Sequence, residues 1–313
     1  MDAFPISRPT LDDAAEIHDL VAAYDTSVVG APDLTLDNIR DELADPGQDL
    51  RRNWWLVRDD HGRLQAYASI GSKGQTSDLF LIGLTVRPGA DDDVRKLIWS
   101  KVLGRAEEMV AEMGFSGATL DTDVYRVDEA KRAEVSSYGF TQATSYHRLR
   151  VDFDGPVAAP RLPAGMTLHP AVTDELRREA HLIHQESFAA HFGFVPVTYE
   201  HWFQRHDTQS VNDWSRTLVA HVDGEPAALV ISDNNFVPDE NCGYVATIGV
   251  RPAYRGRGLG RLLLTTAIAA DAAAGRVGTI LHVDSNNVTP ALALYTSVGM
   301  RTVMVIDAWQ RKI

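Results

Sequence analysis

The sequence has 313 residues, of which 44% are hydrophobic and 23% charged, and a formal net charge of −13. This length suits two ordinary globular domains, and the acidity argues against a nucleic-acid partner and against binding to an anionic membrane surface. No stretch has the length and apolarity of a membrane span, and the N-terminus lacks a basic region with an apolar core. The single cysteine cannot form an internal disulfide, which fits a reducing compartment. We therefore expect a cytoplasmic protein.

In the first half of the chain, β-type and helix-type patterns alternate. Asp59-Asp-His-Gly62 is typical of a turn between two strands. The segment Leu84-Thr-Val-Arg-Pro-Gly89 precedes a long helical pattern. The other predicted elements are a strand at Phe4–Arg8, a helix at Ala14–Ala23, and strands at Trp54–Arg58, Ala66–Ile70 and Ala118–Leu120.

The second half repeats this order. Asp223-Gly224 is a strong hairpin signal, and a helix that starts at Leu259 has Gly275 placed to end it. The other predicted elements are a strand at Met166–His169, a helix at Leu176–Ala189, and strands at Thr217–Val222, Ala227–Ser232, Tyr244–Val250 and Thr279–Val283. Strands interrupted by helices at this spacing predict a mixed sheet with helices on both faces.

Two short sequences recur almost in register. Leu84-Thr-Val-Arg-Pro-Gly89 matches Ile248-Gly-Val-Arg-Pro-Ala253 at a separation of 164 residues, and Ser137-Tyr-Gly-Phe140 matches Ser297-Val-Gly-Met300 at a separation of 160. We interpret this as an internal duplication, because a repeat of this length indicates tandem domains. The predicted domains are residues 1–153 and 164–313, joined by a Pro/Ala-rich linker at 154–163.

A glycine-rich turn that carries several arginines joins a strand to a helix in the second half. It runs from Val250 to Gly260 and reads Val-Arg-Pro-Ala-Tyr-Arg-Gly-Arg-Gly-Leu-Gly. Backbone N–H groups and the helix dipole favour an anion at a helix N-terminus, and glycine lets a phosphate approach the main chain. Arg251, Arg255 and Arg257 of the turn, with Arg261 directly after it, work against the helix dipole unless a bound polyanion offsets them. The turn therefore predicts a pyrophosphate site.

Two motifs in order, on the expected elements, resemble one protein family. Arg255-Gly-Arg-Gly-Leu-Gly260 resembles the Arg/Gln-x-x-Gly-x-Gly/Ala motif of the GCN5-related N-acetyltransferase (GNAT) family, and the run from Val283 to Met300 resembles the family's later Asn, Leu-Tyr and Gly-Phe segment. The resemblance implies an α/β (α+β) fold of two tandem GNAT-like domains, each with a mixed, mostly antiparallel twisted sheet. It also implies direct acyl transfer from acetyl-coenzyme A (acetyl-CoA).

The resemblance carries over to the residues that would hold coenzyme A. The main chain around Ile248 and Val250 is expected to bind the pantetheine arm, and the N–H groups of the turn the pyrophosphate. Asn287 is expected to orient the cofactor or to cap the following helix. The predicted cofactor-binding residues are Ile248, Gly249, Val250, Arg255, Gly256, Arg257, Gly258, Leu259, Gly260, Arg261 and Asn287.

Two catalytic roles are needed for amine acylation. The resemblance makes Tyr295 the acid that protonates the departing thiolate, which a phenol with a pKa near 10 can do. For the base we predict Glu240, which we place at the start of the central strand, with Asp233 and His282 as further candidates. Each of these three also has an ordinary structural interpretation, as an edge charge or a core histidine.

The acceptor is expected to bind near the segments 186–194 and 199–203, which are rich in aromatic residues and histidine. These segments wall a pocket for an organic amine, or they are ordinary packing between helix and sheet. The predicted substrate-binding residues are Phe192, Asp233, Tyr244 and His282. No zinc motif is present, and we expect no metal.

The first half lacks the predicted chemistry. When the Val-Arg-Pro steps are aligned, Asp91-Asp-Asp93 stands opposite Arg255-Gly-Arg257, and when the Ser-x-Gly steps are aligned, Val135 stands opposite Tyr295. Carboxylates at the helix N-terminus satisfy its dipole and repel a pyrophosphate. We therefore predict a degenerate first domain that keeps the fold without the chemistry.

Together these observations predict an N-acetyltransferase that moves an acetyl group from acetyl-CoA to a primary amine of a small molecule. Two alternatives stay open: acylation of a protein or peptide amine, and a non-catalytic module that responds to coenzyme A. We expect neither a nucleic-acid nor a membrane partner, and a monomer or homodimer.

Overall fold

The computed structural model describes residues 4–75, 77–191, 193–285 and 291–313. The strands are β1 (Ile6–Ser7), β2 (Trp54–Arg58), β3 (Leu64–Ser72), β4 (Leu79–Val86), β5 (Thr119–Tyr125), β6 (Thr141–Asp152), β7 (Met166–Pro170), β8 (Leu218–Val222), β9 (Glu225–Asp233), β10 (Cys242–Val250), β11 (Gly278–Asp284) and β12 (Arg301–Lys312). The α-helices are α1 (Ala14–Val29), α2 (Leu36–Ala44), α3 (Leu50–Asn53), α4 (Asp92–Met113), α5 (Glu129–Ser137), α6 (Asp174–Phe188), α7 (Tyr199–Asp207), α8 (Val237–Glu240), α9 (Leu259–Ala273) and α10 (Ala291–Thr296).

The chain forms two compact units. Unit 1 comprises Met1–Ser145 and Val305–Ile313, and unit 2 comprises Tyr146–Met304. The sheet of unit 1 has the order β1-β2-β3-β4-β5-β12, and that of unit 2 has the order β7-β8-β9-β10-β11-β6. In each sheet one inner pair is parallel, β4 with β5 and β10 with β11, and the remaining pairs within the unit are antiparallel. The predicted mixed, mostly antiparallel sheets are confirmed.

Each unit has helices on both faces of its sheet. In unit 1, α4 packs on one face, while α1 and α2 form a second cluster with the opposite face. In unit 2, α9 covers the face that carries Val245, Leu281 and Val283, and α6 and α7 cover the face that carries Leu229 and Ile231. This alternation follows from the two-residue period of a strand, which sends successive side chains to opposite faces. No described helix is long and apolar enough to cross a bilayer.

The last strand of each sheet comes from a distant part of the chain. Residues 306–312 of β12 pair with β5 and complete unit 1, whereas residues 146–152 of β6 pair with β11 and complete unit 2. The compact units therefore do not coincide with the predicted ranges 1–153 and 164–313. The difference arises because a sequence pattern shows where a strand lies and not which sheet it joins.

Candidate active site

The central strand of unit 2 separates from one of its neighbours. β10 and β11 pair over four residues, from Cys242 opposite Gly278 to Val245 opposite Leu281, and within the described residues this ladder ends there. On its other side β10 pairs with β9 along its length, with a register shift between Val245 and Thr247. Although β10 lies inside the sheet, Ala246 is exposed and Thr247, Ile248 and Val250 are half-buried. A cleft thus runs beside residues 246–250.

The helix that follows this cleft has an open N-terminus. α9 starts after Gly258, which has φ +78° and provides no side-chain cap. Gly256 has φ +76°, and a Cβ atom at either glycine would meet no described heavy atom within 4 Å apart from its chain neighbours. Positive φ and open space suit an anion that approaches the backbone N–H groups closely. The turn thus has the local geometry predicted for a phosphate site.

Two arginines of the turn fasten it to the end of α6. Arg251 donates to both carboxylate oxygens of Glu186, at 2.8 and 3.1 Å. Arg255 donates to the carbonyl of Ser187 at 3.0 Å and to that of Val250 at 3.2 Å. One of the four charges is therefore balanced within the protein, and the helix that leads into the aromatic segment is tied to the glycine turn.

The other two arginines stay on the turn and α9. The guanidinium of Arg257 lies 5.3 Å from the centre of the Tyr254 ring. Arg261 donates to Ser297 Oγ at 3.2 Å. Because Ser297 directly follows α10, this bond joins the first turn of α9 to the helix that carries Tyr295.

The two sequence motifs meet at this point. Leu294 Cδ2 lies 3.5 Å from the position that a Cβ atom would take at Gly260, so α10 packs against the first turn of α9. Tyr295 contacts the core cluster beneath α9, and burial raises its pKa to about 12. The predicted acid and the glycine turn thus lie on adjoining helices of one unit.

Three further predicted residues share the sheet face that is covered by α6. Tyr244 stands opposite Asp233 in the β9–β10 ladder, and its hydroxyl lies 3.0 Å from Nδ1 of His282. Burial raises the pKa of Asp233 to about 6, while its carboxylate accepts a hydrogen bond from the Asn235 N–H. Asp233 is thus a carboxylate whose pKa lies near neutrality, which suits proton transfer.

Glu240 lies elsewhere than predicted. It ends α8 rather than starting the central strand, and Asn241, with φ +48°, separates it from β10. Its two carboxylate oxygens accept hydrogen bonds from Arg148 and Arg150 of β6. Sequence reasoning missed α8 because four residues with a proline at their start carry no helical period.

Phe192 and Asn287 lie outside the described residues. In the described residues that precede position 192 in the sequence, aromatic rings and histidines pack on one another. His184 stacks on Phe188 at 5.0 Å, Phe188 lies 4.5 Å from His191, and burial lowers the pKa of His184 to about 4. Within the described part of the chain, no group of three or more His, Cys, Asp or Glu side chains is placed to hold a metal ion.

Unit 1 has the corresponding strand separation but not the open cleft. The β4–β5 ladder ends at Ile82 opposite Thr122 in the described residues. At the positions corresponding to 246–250, however, Ile82, Leu84, Thr85 and Val86 are all buried. The separation is therefore inherited by both units, whereas access to it differs.

A lysine from α5 lies at this cleft in unit 1. Lys131, which is 7% exposed, directs its Nζ to the carbonyl of Leu84 at 3.4 Å and over the Trp99 ring at 5.5 Å. Leu84 corresponds to Ile248, whose main chain is predicted to bind the pantetheine arm. Sequence reasoning missed this residue, because a lysine in a polar helix is normally solvated.

The N-terminus of α4 in unit 1 is capped by a side chain, whereas that of α9 in unit 2 is not. The Asp91 carboxylate accepts a hydrogen bond from the Asp93 N–H at 2.8 Å and so caps the helix. A carboxylate of the protein therefore occupies the end of the helix where unit 2 leaves N–H groups uncapped.

Known proteins share both the sequence and the fold. Residues 177–300 match the family model described as acetyltransferase (GNAT) family. The chain is 29% identical to a mycothiol acetyltransferase of Frankia casuarinae over 322 residues, which cover 97% of this chain and 87% of that relative. It is 25% identical to a mycothiol acetyltransferase of Kocuria rhizophila over 248 residues, which cover 77% and 78%.

Solved structures show the same fold over the whole length. A GCN5-related N-acetyltransferase from Sphaerobacter thermophilus superimposes with a TM-score of 0.81 at 21% identity, covering 100% of this chain and 96% of that one. A tandem GNAT protein from the clavulanic acid biosynthesis pathway gives a TM-score of 0.76 at 16% identity, covering 99% and 98%.

These findings define the class of the protein: residues 177–300 match a GNAT acetyltransferase domain, the chain is similar over nearly its whole length to a tandem GNAT protein, and it is an N-acetyltransferase that uses acetyl-CoA. Within that class it is similar to mycothiol acetyltransferase, also called mycothiol synthase, over nearly its full length. The resemblance stated from the two motifs is confirmed.

Proposed function

We propose that unit 2 transfers the acetyl group of acetyl-CoA to a primary amine of a small-molecule acceptor by direct attack. The observation that carries this proposal is the combination, within one unit, of the open cleft beside residues 246–250, the uncapped start of α9 and the adjoining Tyr295. The relatives named mycothiol acetyltransferase support a small acceptor rather than a protein.

The donor would be held mainly by main-chain groups. The N–H groups at the start of α9, after Gly256 and Gly258, suit the pyrophosphate. The edge of β10 from Ile248 to Val250, which faces away from β9 and pairs with no other strand of the described residues, suits the pantetheine arm. The N–H groups of that edge suit the oxyanion that forms when the amine attacks the thioester. Arg257 and Arg261 add positive charge at the helix start. Asn287 remains a sequence prediction.

For the base we propose Asp233 in place of Glu240. A base must be free to take a proton from the amine, and both oxygens of Glu240 are held by guanidinium groups. Asp233 is half-buried on the sheet face covered by α6, and its pKa of about 6 leaves it ionised and moderately basic at neutral pH. Tyr244 and His282, joined by a hydrogen bond, lie on that face and would line the acceptor side.

For the acid we propose Tyr295. Burial raises its pKa to about 12, so the phenol stays protonated until a stronger base forms beside it. A thiolate that leaves into the same apolar surroundings also has a raised proton affinity, which helps the transfer.

The test is steady-state turnover with acetyl-CoA and a panel of small amines, comparing wild type with Tyr295→Phe. We expect kcat to fall on the order of 100-fold while the Kd for coenzyme A stays within twofold, because the phenyl ring keeps the packing and loses only the proton. Tyr138→Phe, which changes the tyrosine of the corresponding Ser-x-Gly step in unit 1, is the matched control.

Three outcomes separate this proposal from its alternatives. An unchanged kcat in Tyr295→Phe would exclude the acid role. Turnover with peptides and none with small amines would favour a protein acetyltransferase. Tight coenzyme A binding without turnover on any amine would favour a non-catalytic binding module.

A further inference from the structure

The hydroxyl of Ser187 is a buried polar group without a partner beside the proposed donor cleft. Ser187 is 4% exposed, and among the described residues its Oγ makes no hydrogen bond. A buried hydroxyl left unsatisfied destabilises the folded state, so such a group calls for an explanation. A serine near a helix end usually bonds to a carbonyl of the preceding turn, and Ser187 does not.

The surroundings of Ser187 place that hydroxyl at one strand position. A Cβ atom at Gly249 would lie 3.0 Å from Ser187 Oγ and 3.1 Å from Ser187 Cβ. Gly249 lies between Ile248 and Val250, whose main chain we propose to bind the pantetheine arm. The missing side chain at Gly249 therefore lets a hydroxyl from α6 lie against the face of β10, at the residue between the two whose main chain we propose for the arm.

The backbone of Ser187 is fixed from two sides. Its carbonyl accepts a hydrogen bond from Arg255, and the preceding residue, Glu186, forms a two-pronged ion pair with Arg251. Both arginines belong to the turn that leads into α9. The position of the hydroxyl is thus set by the same segment that forms the proposed pyrophosphate site.

We infer that the Ser187 hydroxyl donates a hydrogen bond to an amide oxygen of the pantetheine arm when acetyl-CoA is bound. This inference rests on the proposed donor site in unit 2. The arm carries two amide carbonyls, either of which accepts a hydrogen bond from a hydroxyl. Ser187 is then a positioning residue that holds the donor against β10, and it takes no part in proton transfer.

The experiment titrates Ser187→Ala and wild type by calorimetry with coenzyme A and, separately, with adenosine 3′,5′-bisphosphate, which lacks the arm. We expect the Kd for coenzyme A to rise about three- to tenfold, the net effect of one hydrogen bond. The Kd for the bisphosphate should stay unchanged. In turnover assays KM for acetyl-CoA should rise, with kcat at saturation and KM for the amine within twofold of wild type.

Ser232→Ala is the matched control, because Ser232 is 2% exposed and its Oγ also lacks a partner among the described residues. It should leave both Kd values unchanged. If Ser187→Ala does not fold, Ser187→Gly removes the same hydroxyl and is titrated in its place.

Equal coenzyme A affinity in wild type and in the Ser187 variant would overturn the inference and leave the proposed function intact. A raised KM for the amine with an unchanged Kd for coenzyme A would also overturn it, since the hydroxyl would then serve the acceptor. A wild type that binds the bisphosphate and coenzyme A equally well would show that the arm makes no contact. If wild type binds neither, the proposed donor site itself fails.

Discussion

Units 1 and 2 carry the same strand separation, and they differ in what lies beside it. In unit 2, Ala246 is exposed and Ile248 is half-buried, whereas the corresponding Ile82 and Leu84 of unit 1 are buried. Lys131 reaches the Leu84 carbonyl, at the place where unit 2 leaves the strand edge open. The two units therefore share the backbone arrangement and differ in the side chains that lie beside it.

The strand register extends this comparison to the proposed base. Tyr244 of unit 2 stands opposite Asp233, and in unit 1 the corresponding Phe80 stands opposite Ser72. His282 corresponds to Thr122 in the same register. None of the three unit 1 positions carries a group that titrates near neutral pH. Units 1 and 2 thus differ both at the proposed donor site and at the candidate residues for proton transfer.

Among substitutions that would make unit 2 more like unit 1, we expect Asp233→Asn to have the largest effect on activity. Replacing the carboxylate by an amide removes the proposed base, so kcat should fall on the order of 100-fold or more. In wild type kcat/KM should fall as the pH drops below about 6, because Asp233 then takes up a proton. A pH–rate profile of both proteins checks this.

Asp239→Asn, at an exposed position of α8, should leave rate and profile unchanged. If Asp233→Asn kept the limb near pH 6, that limb would belong to another group, and the assignment of the base would be wrong.

A second change gives unit 2 the helix cap of unit 1. Gly258→Asp places a carboxylate at the start of α9, where it repels a pyrophosphate and competes for its N–H groups. Coenzyme A should bind about 100-fold more weakly, equivalent to roughly 2.7 kcal/mol. Calorimetric titration measures this directly, and for wild type it should give one site per chain.

Gly275→Asp is a close control, since Gly275 has φ +76° beside the opposite end of α9 and a Cβ atom there meets no described atom within 4 Å. It tests backbone strain without charge at the site. Equal losses in both variants would mean that strain, and not the carboxylate, weakens binding. Two sites per chain in wild type would show that unit 1 still binds the cofactor.

The smallest effect concerns the lysine of unit 1. Burial lowers the pKa of Lys131 in the folded protein. Below that pKa the amine is charged in both states, and the charge is less favourable in the folded state, so it lowers the free energy of unfolding. Replacing it with an apolar residue of similar length, Lys131→Met, should raise the free energy of unfolding by about 1 kcal/mol at pH 7. This gain in stability should shrink as the pH rises toward about 10.4, the pKa of lysine in the unfolded chain, because there the unfolded wild type loses the proton as well.

Chemical denaturation across this pH range measures the difference, with Lys96→Met at an exposed position as the control. A less stable Lys131→Met would show that the contacts with Leu84, Trp99 and Glu134 outweigh the cost of burial. The number of coenzyme A sites should stay at one, because Asp91 still caps α4.

Much of the fold follows from local patterns. Trp54–Arg58 has the predicted bounds, α9 ends just before Gly275, and the Asp223-Gly224 turn has positive φ at both residues, as such a hairpin requires. The helices α2 and α7 were missed because their sequences are mostly polar, and a polar sequence is equally typical of a loop.

The chemistry of the site was harder to predict than its location. The glycine turn and Tyr295 carry motifs, and their roles stay predictions. Glu240 is predicted from its place near the start of the central strand and from the family resemblance, and neither gives any sign of the two arginines on another strand that bind it. Lys131 and Ser187 owe their surroundings to packing between distant elements, and no local pattern encodes such packing.

The strand β6 pairs with β11 of unit 2, and β12 pairs with β5 of unit 1. This exchange affects the order in which the units are completed during synthesis. Unit 1 contains the first part of the chain, yet residues 305–313 supply the strand beside β5, with the Asp307 carboxylate buried against Arg126. During synthesis, the strands of unit 1 therefore lack their last partner until residues 305–313 have been made. The half with the proposed chemistry is also bracketed within the other, so a cut at the predicted linker would release fragments that each lack a strand.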